Sequence, residues 1–134
     1  MAMAWNKYGA KRVVAPNGEI FDSSKEYRRW CELQLLERAG KVSGLKRQVT
    51  FELIPAQRAE STEVYKAGPQ KGLPKPGEVI EKPTKYVADF VYCDEHGNTV
   101  VEDTKGCKRG AAYDLFSIKR KLFLYRYGVR IKET

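Results

Sequence analysis

The sequence predicts a mixed α/β domain with a small central sheet, and three observations lead to this prediction. The chain has 134 residues, of which 42% are hydrophobic and 31% charged, a globular composition at the size of one domain. Two segments carry apolar residues at the three- and four-residue spacing of helices, whereas several others alternate as strands do. Segments that contain Gly and Pro separate them, as is typical of turns. We therefore expect a single domain over residues 1–134.

The amino-terminal part predicts a basic arm followed by a helix. Residues 1–19 contain few apolar repeats and the turn sequence Pro16-Asn17-Gly18, so we expect a flexible arm. Asp22-Ser23-Ser24 is typical of a helix start, and Gly40 of a position just past a helix end. The predicted helix runs from Ser24 to Ala39. Its buried face is expected at the helical spacing of Tyr27, Trp30, Cys31 and Leu35. Leu33 and Leu36 widen this stripe, so we expect both sides of the helix to be covered.

The middle of the chain predicts strands around a long insertion. Gln48 to Ile54 alternates and ends at a proline, as a strand does. Residues 56–84 hold four prolines and three glycines, and we expect a mobile loop insertion there. A hairpin follows, whose two strands and connecting turn are predicted at Tyr86 to Cys93, Asp94 to Asn98, and Thr99 to Lys105.

The carboxyl-terminal part predicts a second helix and a short last strand. The helix is expected over Ala111 to Tyr127, and the strand over 129–131. One stripe of the helix is apolar, with two phenylalanines beside it, and all six residues are expected to lie in the core: Leu115, Ile118, Leu122, Tyr125, Phe116 and Phe123. The order helix, three strands, helix, strand favours a small mixed sheet flanked by helices.

The charge of the chain predicts a polyanionic partner, with nucleic acid as the leading candidate. Lys and Arg number 25 against 17 Asp and Glu, so the formal net charge is +8. The segment from Gly106 to Thr134 alone carries +6, from eight bases and two acids. We expect phosphate contacts from this segment and from the arm, through Lys7, Lys11, Arg12, Lys108, Arg109, Lys119 and Arg120. The alternative is that these cations form an ordinary solvated face.

Cysteine and histidine usage excludes several kinds of site. The three cysteines, Cys31, Cys93 and Cys107, are far apart and form no CxxC pair, which argues against a disulfide scaffold or a zinc knuckle. The single histidine, His96, lies in a turn-like segment, so His-based metal sites and Ser-His-Asp triads lack their residues. No apolar segment approaches the ~20 residues that a membrane helix needs, and the first residues lack the apolar part of a signal peptide. We therefore expect no membrane association and a cytoplasmic location.

Two carboxylates on the predicted hairpin indicate a metal site. Side chains alternate along a strand, so Asp103 and Lys105 share one face and Glu102 points to the other. A hairpin also places Asp89 beside Asp103. Close carboxylates on a buried strand repel each other, and a hard divalent cation such as Mg²⁺ or Mn²⁺ removes that conflict. We favour Asp103 over Glu102 as the ligand, although a bulge in the strand would reverse this preference.

The pattern of Asp89, followed on the next strand by Asp103-x-Lys105, resembles the PD-(D/E)XK nuclease superfamily. Val87-Ala88-Asp89 stands in place of the nominal Pro-Asp. More widely the chain resembles a phage-type family of small nuclease-like proteins similar to Holliday junction resolvases. The matching stretches are Asn6–Lys11, Phe21–Glu26, Tyr86–Tyr92, Val101–Gly106 and Lys119–Phe123.

The resemblance implies a restriction-endonuclease-like core and a set of site residues. Metal would be held by Glu26, Asp89 and Asp103, and Lys105 would position the attacking water. Glu26 has an alternative role, because Ser23-Ser24-Lys25-Glu26 also fits a helix capping box. We do not expect one carboxylate to fill both roles.

The function that the resemblance implies is Mg²⁺-dependent hydrolysis of DNA phosphodiesters by an endonuclease. Basic charge without a recognisable base-reading module favours recognition of DNA structure, such as branches or junctions, in DNA recombination. Related resolvases act as homodimers, and the implied setting is the bacterial host cell of a phage or prophage. The alternatives are a non-catalytic nucleic-acid-binding or phage-assembly module that keeps the nuclease fold, and a nuclease directed at RNA.

Overall fold

The structure of the protein, a computed structural model, describes residues 2–5 and 11–134, with side chains from Arg12 onward. The predicted DNA contact Lys7 and the side chain of Lys11 lie outside these residues. The described part contains two helices and nine strands: β1 (Ala2–Trp5), β2 (Lys11–Val14), β3 (Ile20–Phe21), α1 (Ser24–Arg38), β4 (Ser43–Ile54), β5 (Gln57–Arg58), β6 (Val79–Glu81), β7 (Thr84–Cys93), β8 (Thr99–Asp103), α2 (Ala111–Tyr127) and β9 (Ile131–Glu133).

The predicted mixed α/β class is confirmed by a central four-stranded sheet. Its strand order is β4-β7-β8-β9. Strands β7 and β8 form the predicted antiparallel hairpin, in which Phe90 lies opposite Glu102. Strand β9 then pairs with β8 in parallel, with Val101 opposite Ile131. The intervening α2 supplies the long connection that a parallel pair requires.

Helix α1 forms where the sequence predicts it, and it buries part of its predicted apolar stripe. Ser23 is extended and its hydroxyl accepts a hydrogen bond from the Glu26 backbone N–H, which begins the helix. Leu33 is fully buried and packs with Phe90 and Tyr92 of β7, whereas Leu35 is 62% exposed. The prediction of a buried Leu35 is therefore wrong. Tyr27 and Trp30 pack against the cluster of Val13, Ala15 and Phe21, and Leu36 packs with Leu33, so two sides of the helix are covered while Leu35 is left in solvent.

The prediction of a flexible arm over residues 1–19 is wrong for its described part. Strands β1, β2 and β3 form a three-stranded antiparallel sheet. Val13 and Phe21 are opposite each other in this sheet and are almost completely buried, together with Ala15. Val13 and Val14 have the β-branched side chains that favour strands, and pairing with β3 supplies the covered face that a short segment cannot form alone.

Most of the predicted loop insertion, residues 56–84, lies outside helices and strands, but the segment also contains two short strands. The chain divides into two compact units, one of residues 1–50 with 87–134 and one of residues 51–86. The second unit has its own two-stranded sheet of β5 and β6, and an isolated bridge joins Val64 to Pro74. Arg58 also donates a hydrogen bond to the Gly77 carbonyl at 2.9 Å. These contacts between segments about 20 residues apart carry no periodic signal in the sequence.

Helix α2 buries only part of the apolar set that the sequence assigns to the core. Phe116 and Phe123 are 6% and 1% exposed, whereas Leu115, Ile118 and Tyr125 are 55%, 56% and 92% exposed. The assignment is therefore confirmed for the two phenylalanines and wrong for these three residues, and Leu122 is half-buried. Apolar residues occur on most sides of this helix, so periodicity does not decide which side meets the sheet. Neither described helix is long and apolar enough to cross a membrane.

Candidate functional site

Asp89 and Asp103 lie next to each other on the central hairpin. The register that places Phe90 opposite Glu102 brings Asp89 opposite Asp103 one step further along, on the other face of the sheet. Asp103 is 5% exposed. Asp89 accepts a hydrogen bond through Oδ2 from the Thr104 backbone N–H at 2.8 Å. The hairpin therefore holds two carboxyl groups close together, as the sequence predicts.

The crowding of carboxyl groups alters the titration of Asp89. Burial, followed by the negative charges of Asp103 and Glu26, raises the pKa of Asp89 to about 8. The hydrogen bond from the Thr104 backbone opposes this shift, and a hydrogen-bonding interaction with the Asp103 carboxyl adds to it. Near neutral pH, Asp89 thus holds a proton that an isolated aspartate would have lost.

Glu26 joins this group from the first turn of α1. Its side chain is 4% exposed. One carboxylate oxygen, Oε2, accepts from the Asp22 backbone N–H at 3.3 Å, while Oε1 lies 3.7 Å from the Arg47 guanidinium. Burial, followed by the charge of Asp22, raises the pKa of Glu26. Glu26 therefore accepts a hydrogen bond at the start of the helix through one oxygen and faces Arg47 through the other, and its role as a metal ligand stays a prediction.

Gln48 of β4 connects two of the three carboxylates, and no pattern in the sequence singles it out. Its side-chain Nε2 donates to Glu26 Oε1 at 3.2 Å and lies 3.4 Å from Asp89 Oδ1. Among the described residues other than glycine, Gln48 has the only positive φ, 54°. That conformation is unfavourable for a side chain with a Cβ and is found disproportionately at functional sites. Alternation along a strand does not reveal such a residue.

Lys105 lies just past β8 and reaches back to the site. Its Nζ is 3.1 Å from Asp103 Oδ1. The same ammonium lies 3.9 Å from the centre of the Phe116 ring in α2, a cation–π arrangement. The side chain is 22% exposed, so it lies between the interior and solvent. The ion pair and the ring together fix the position of the charge.

Glu102 is engaged on the opposite face of the sheet. It is fully buried, and its two oxygens accept from Arg29 Nε and Nη2 at 2.8 Å each. The Tyr92 hydroxyl donates to it as well. Burial by itself raises the pKa of Glu102, but these hydrogen bonds outweigh burial and lower the pKa overall. The alternation of β8 thus directs Asp103, and not Glu102, toward Asp89 and Lys105.

The predicted DNA-contacting cations differ in their surroundings. Arg12, Lys108 and Arg109 are exposed, and Lys119 is half-buried. Arg120 Nη1 lies 3.3 Å from Glu133 Oε2 and 3.2 Å from the Tyr113 hydroxyl. Arg120 therefore has a partner within the fold that the sequence did not indicate.

The carboxylate oxygens at this site suit a hard cation that takes only a few of its ligands from the protein. Within residues 12–134, no three or more His, Cys, Asp and Glu side chains stand at the distances of a pre-formed metal site. Asp89 and Asp103 do form a close pair of oxygen donors with Glu26 acting on both, and their mutual repulsion favours a bound cation. Mg²⁺ binds in this way, through one or two carboxylates, water and phosphate oxygens.

Comparison with known proteins places the chain in one family. A family described as "Protein of unknown function (DUF1064)" matches residues 5–133. No curated protein and no solved structure matches the chain.

Proposed function

We propose that this chain, which belongs to the DUF1064 family, is a metal-dependent endonuclease that hydrolyses phosphodiester bonds in DNA. The observation that carries the proposal is the convergence of Asp89, Asp103 and the Lys105 ammonium at one end of the central hairpin. Two carboxylates beside each other, one buried and one half-buried, cost stability unless a bound cation or proton offsets their repulsion. A cation between them, with an ammonium at its side, is a common arrangement for phosphodiester cleavage.

The proposal gives each residue of the site a separate task. Asp89 and Asp103 would hold Mg²⁺ or Mn²⁺, with Glu26 completing the site or binding through water. When bound, such a metal polarises the phosphodiester and lowers the pKa of a coordinated water. Lys105 holds a positive charge beside Asp103, where it orients the attacking water and offsets negative charge that develops on the phosphate.

Gln48 acts as a positioning residue in this scheme. It contacts Glu26 and Asp89 through one amide nitrogen, so it sets the distance between carboxylates from α1 and β7. Its unfavourable backbone conformation is consistent with a residue kept for that contact.

The charge of the chain supports a nucleic-acid substrate. The formal net charge is +8, and Lys108 and Arg109 are exposed shortly after the strand that carries Asp103. We propose branched or junction DNA as the substrate, because no base-reading module is evident in the sequence. The homodimer implied by the resemblance stays a prediction, which analytical ultracentrifugation measures directly.

The decisive experiment is a cleavage assay on a panel of junction, flap, single-stranded and linear duplex DNAs, with matched RNAs. Each substrate is incubated with Mg²⁺, with Mn²⁺ and with EDTA. Asp89→Asn and Asp103→Asn are the test variants, and Glu95→Gln, in an exposed turn, is the matched control. We expect cutting that requires metal, persists in Glu95→Gln and is lost in both aspartate variants.

The same assay separates the alternative function. A protein that binds these DNAs with salt-sensitive affinity but cuts none of them under any metal is a binding module with a nuclease-like fold. Cutting of the RNA panel alone would assign the activity to RNA instead.

A further inference from the structure

A basic cleft on the face of the central sheet that carries Glu102 has no role in the function described so far. Its volume is about 410 Å³, and it is lined by Lys25, Arg28, Arg29, Glu32, Lys132 and Thr134. The first four residues follow one another at helical spacing, so they form one stripe along α1. Lys132 and Thr134 come from the end of the chain, at β9 and just beyond it.

The charges in this cleft are not balanced. The charge of Arg29 is paired, because Arg29 binds both oxygens of Glu102 and also Glu32 at 3.0 Å. In the part of the chain whose side chains are described, no Asp or Glu lies within 4 Å of Lys25, Arg28 or Lys132. Lys25, Arg28 and Lys132 thus line a cavity in which the close acidic contacts, Glu32 and Glu102, are both made by Arg29.

The cleft is connected to the site through Lys105. Lys25 Nζ donates a hydrogen bond to the Lys105 carbonyl at 3.2 Å. The Thr134 carbonyl in turn accepts from the Lys105 backbone N–H at 2.9 Å. Residues that line the cleft therefore hold the backbone of Lys105 from both sides, while its ammonium pairs with Asp103.

We propose that this cleft is a phosphate-binding subsite for the nucleic-acid strand that enters the catalytic centre. Among the side chains that the structure describes, Lys25 and Arg28 have no acidic one within 4 Å, and Lys132 interacts with Glu102 only at longer range. Three such cations around a cavity suit a phosphate group, since both Lys and Arg donate to phosphate oxygens. Lys25 and Thr134 contact the backbone of Lys105, so the cleft adjoins the end of β8 from the face opposite Asp103. The inference rests on the proposed nuclease function and adds the residues that grip the substrate.

The test is a binding measurement that does not depend on cutting. Fluorescence anisotropy of a labelled duplex DNA is recorded in Ca²⁺ over a range of salt concentrations. The test variant is Arg28→Gln with Lys132→Gln, which neutralises one cation on each wall of the cleft. The control carries Arg38→Gln with Lys46→Gln, which removes the same charge at exposed positions outside the cleft.

We expect the cleft variant to bind DNA several-fold more weakly and with a flatter salt dependence. Removal of one phosphate contact reduces the log–log salt slope by about 0.9, so the slope should fall by about 1.8 relative to wild type. The control should keep its slope. The single variants Arg28→Gln and Lys132→Gln should each show half of the effect, and circular dichroism verifies that each is folded.

Two forms of the DNA identify the kind of phosphate. One duplex carries 5′-phosphates and the other 5′-hydroxyls. A preference for 5′-phosphate that disappears in the cleft variant assigns the subsite to a strand end, and equal binding of both duplexes assigns it to internal phosphodiesters.

The outcome that overturns the inference is a cleft variant whose slope equals that of the control, or a wild-type protein that does not bind DNA. Failure of the proposed function is visible separately. Cleft-dependent binding without any metal-dependent cutting contradicts the nuclease proposal, whereas cutting by wild type together with equal slopes contradicts only the subsite.

Discussion

Arg29 binds both carboxylate oxygens of Glu102 across the space between α1 and β8, with Nε and Nη2 each 2.8 Å from an oxygen. Glu102 is fully buried, and the Arg29 side chain is 21% exposed. This pair anchors the helix to the sheet. Because Arg29 binds both oxygens of Glu102, Asp103 is the carboxylate of β8 that lies at the site.

The first prediction concerns this pair. Glu102→Gln should lower the free energy of unfolding by about 2–3 kcal/mol, because loss of one partner leaves a partly buried charge uncompensated. Glu32→Gln removes the other acidic contact of Arg29, at an exposed position, and should cost about 0.5 kcal/mol or less. Urea denaturation measures both values. Equal losses in the two variants would contradict the structural role of Glu102, and loss of cutting in a folded Glu102→Gln protein would contradict its exclusion from the site.

The second prediction concerns the pH dependence of stability. The pKa of Asp89 is about 8 in the folded protein and 3.8 in its ordinary state. Between these values the folded protein keeps a proton that the unfolded chain releases, so stability falls as pH rises from about 4 to about 8. Asp89→Asn removes this titration. In EDTA at pH 8 the variant should be more stable than wild type by at least about 1 kcal/mol, the energy of roughly one pKa unit.

The measurement is urea unfolding of wild type and Asp89→Asn at pH 5 and pH 8. The difference between the proteins should be larger at pH 8. Addition of Mg²⁺ should stabilise wild type and have little effect on the variant. A variant that is less stable than wild type at pH 8 would show that Asp89 supports the fold, and that the site does not carry the proposed carboxylate repulsion.

The third prediction concerns Lys105. Lys105→Ala should reduce the single-turnover cutting rate by roughly 10²–10³, as removal of one preorganised charge-stabilising donor does. DNA affinity in Ca²⁺ should change little, because many other cations still bind the phosphates. Lys105→Arg should restore the rate only in part, since the planar guanidinium does not reproduce a compact ammonium. Equal losses of rate and affinity would make Lys105 a phosphate anchor.

The fourth prediction concerns Gln48. Gln48→Ala keeps the positive φ and removes the hydrogen bonds to Glu26 and Asp89, so it should destabilise the protein by about 1 kcal/mol. Gln48→Gly removes the same hydrogen bonds, but glycine adopts this φ freely, and its stability should stay closer to wild type. Both variants should cut more slowly, and their pH–rate profiles should move to higher pH, because the carboxylates lose a hydrogen-bond donor.

The control for Gln48 is Lys46→Ala, an exposed position of the same strand. Its cutting rate and pH profile should match wild type. Unchanged cutting in both Gln48 variants would remove Gln48 from the set of positioning residues.

The fifth prediction compares cations of the carboxyl-terminal segment. Lys108→Gln with Arg109→Gln should flatten the salt slope of DNA binding by about 1.8, because two cations no longer bind phosphates. Arg120→Gln should change the slope less and lower the unfolding temperature, because Arg120 pairs with Glu133 and Tyr113. The salt titration and a thermal melt of the same proteins test both statements. A larger slope change in Arg120→Gln than in the double variant would show that Arg120, and not Lys108 with Arg109, contacts the phosphates.

The sequence pattern alone predicts the hairpin and the pairing of its two aspartates. Alternation along 86–93 and 99–103 fixes which side chains share a face, and a short turn fixes the register. For this reason Asp89, Asp103 and Lys105 are recognisable as a group from the sequence alone. The start of α1 is equally local, since Ser23 caps the helix three residues before Glu26.

Only the tertiary structure decided the contacts between segments that lie far apart in the chain. Arg29 with Glu102 and Gln48 with Asp89 are 73 and 41 residues apart, and neither pair leaves a periodic trace in the sequence. The same holds for the choice among the apolar residues of α2, all predicted to be buried, of which Phe116 and Phe123 are buried while Leu115, Ile118 and Tyr125 are exposed. Periodicity states that a face is apolar, and the packing of whole elements determines which face is covered.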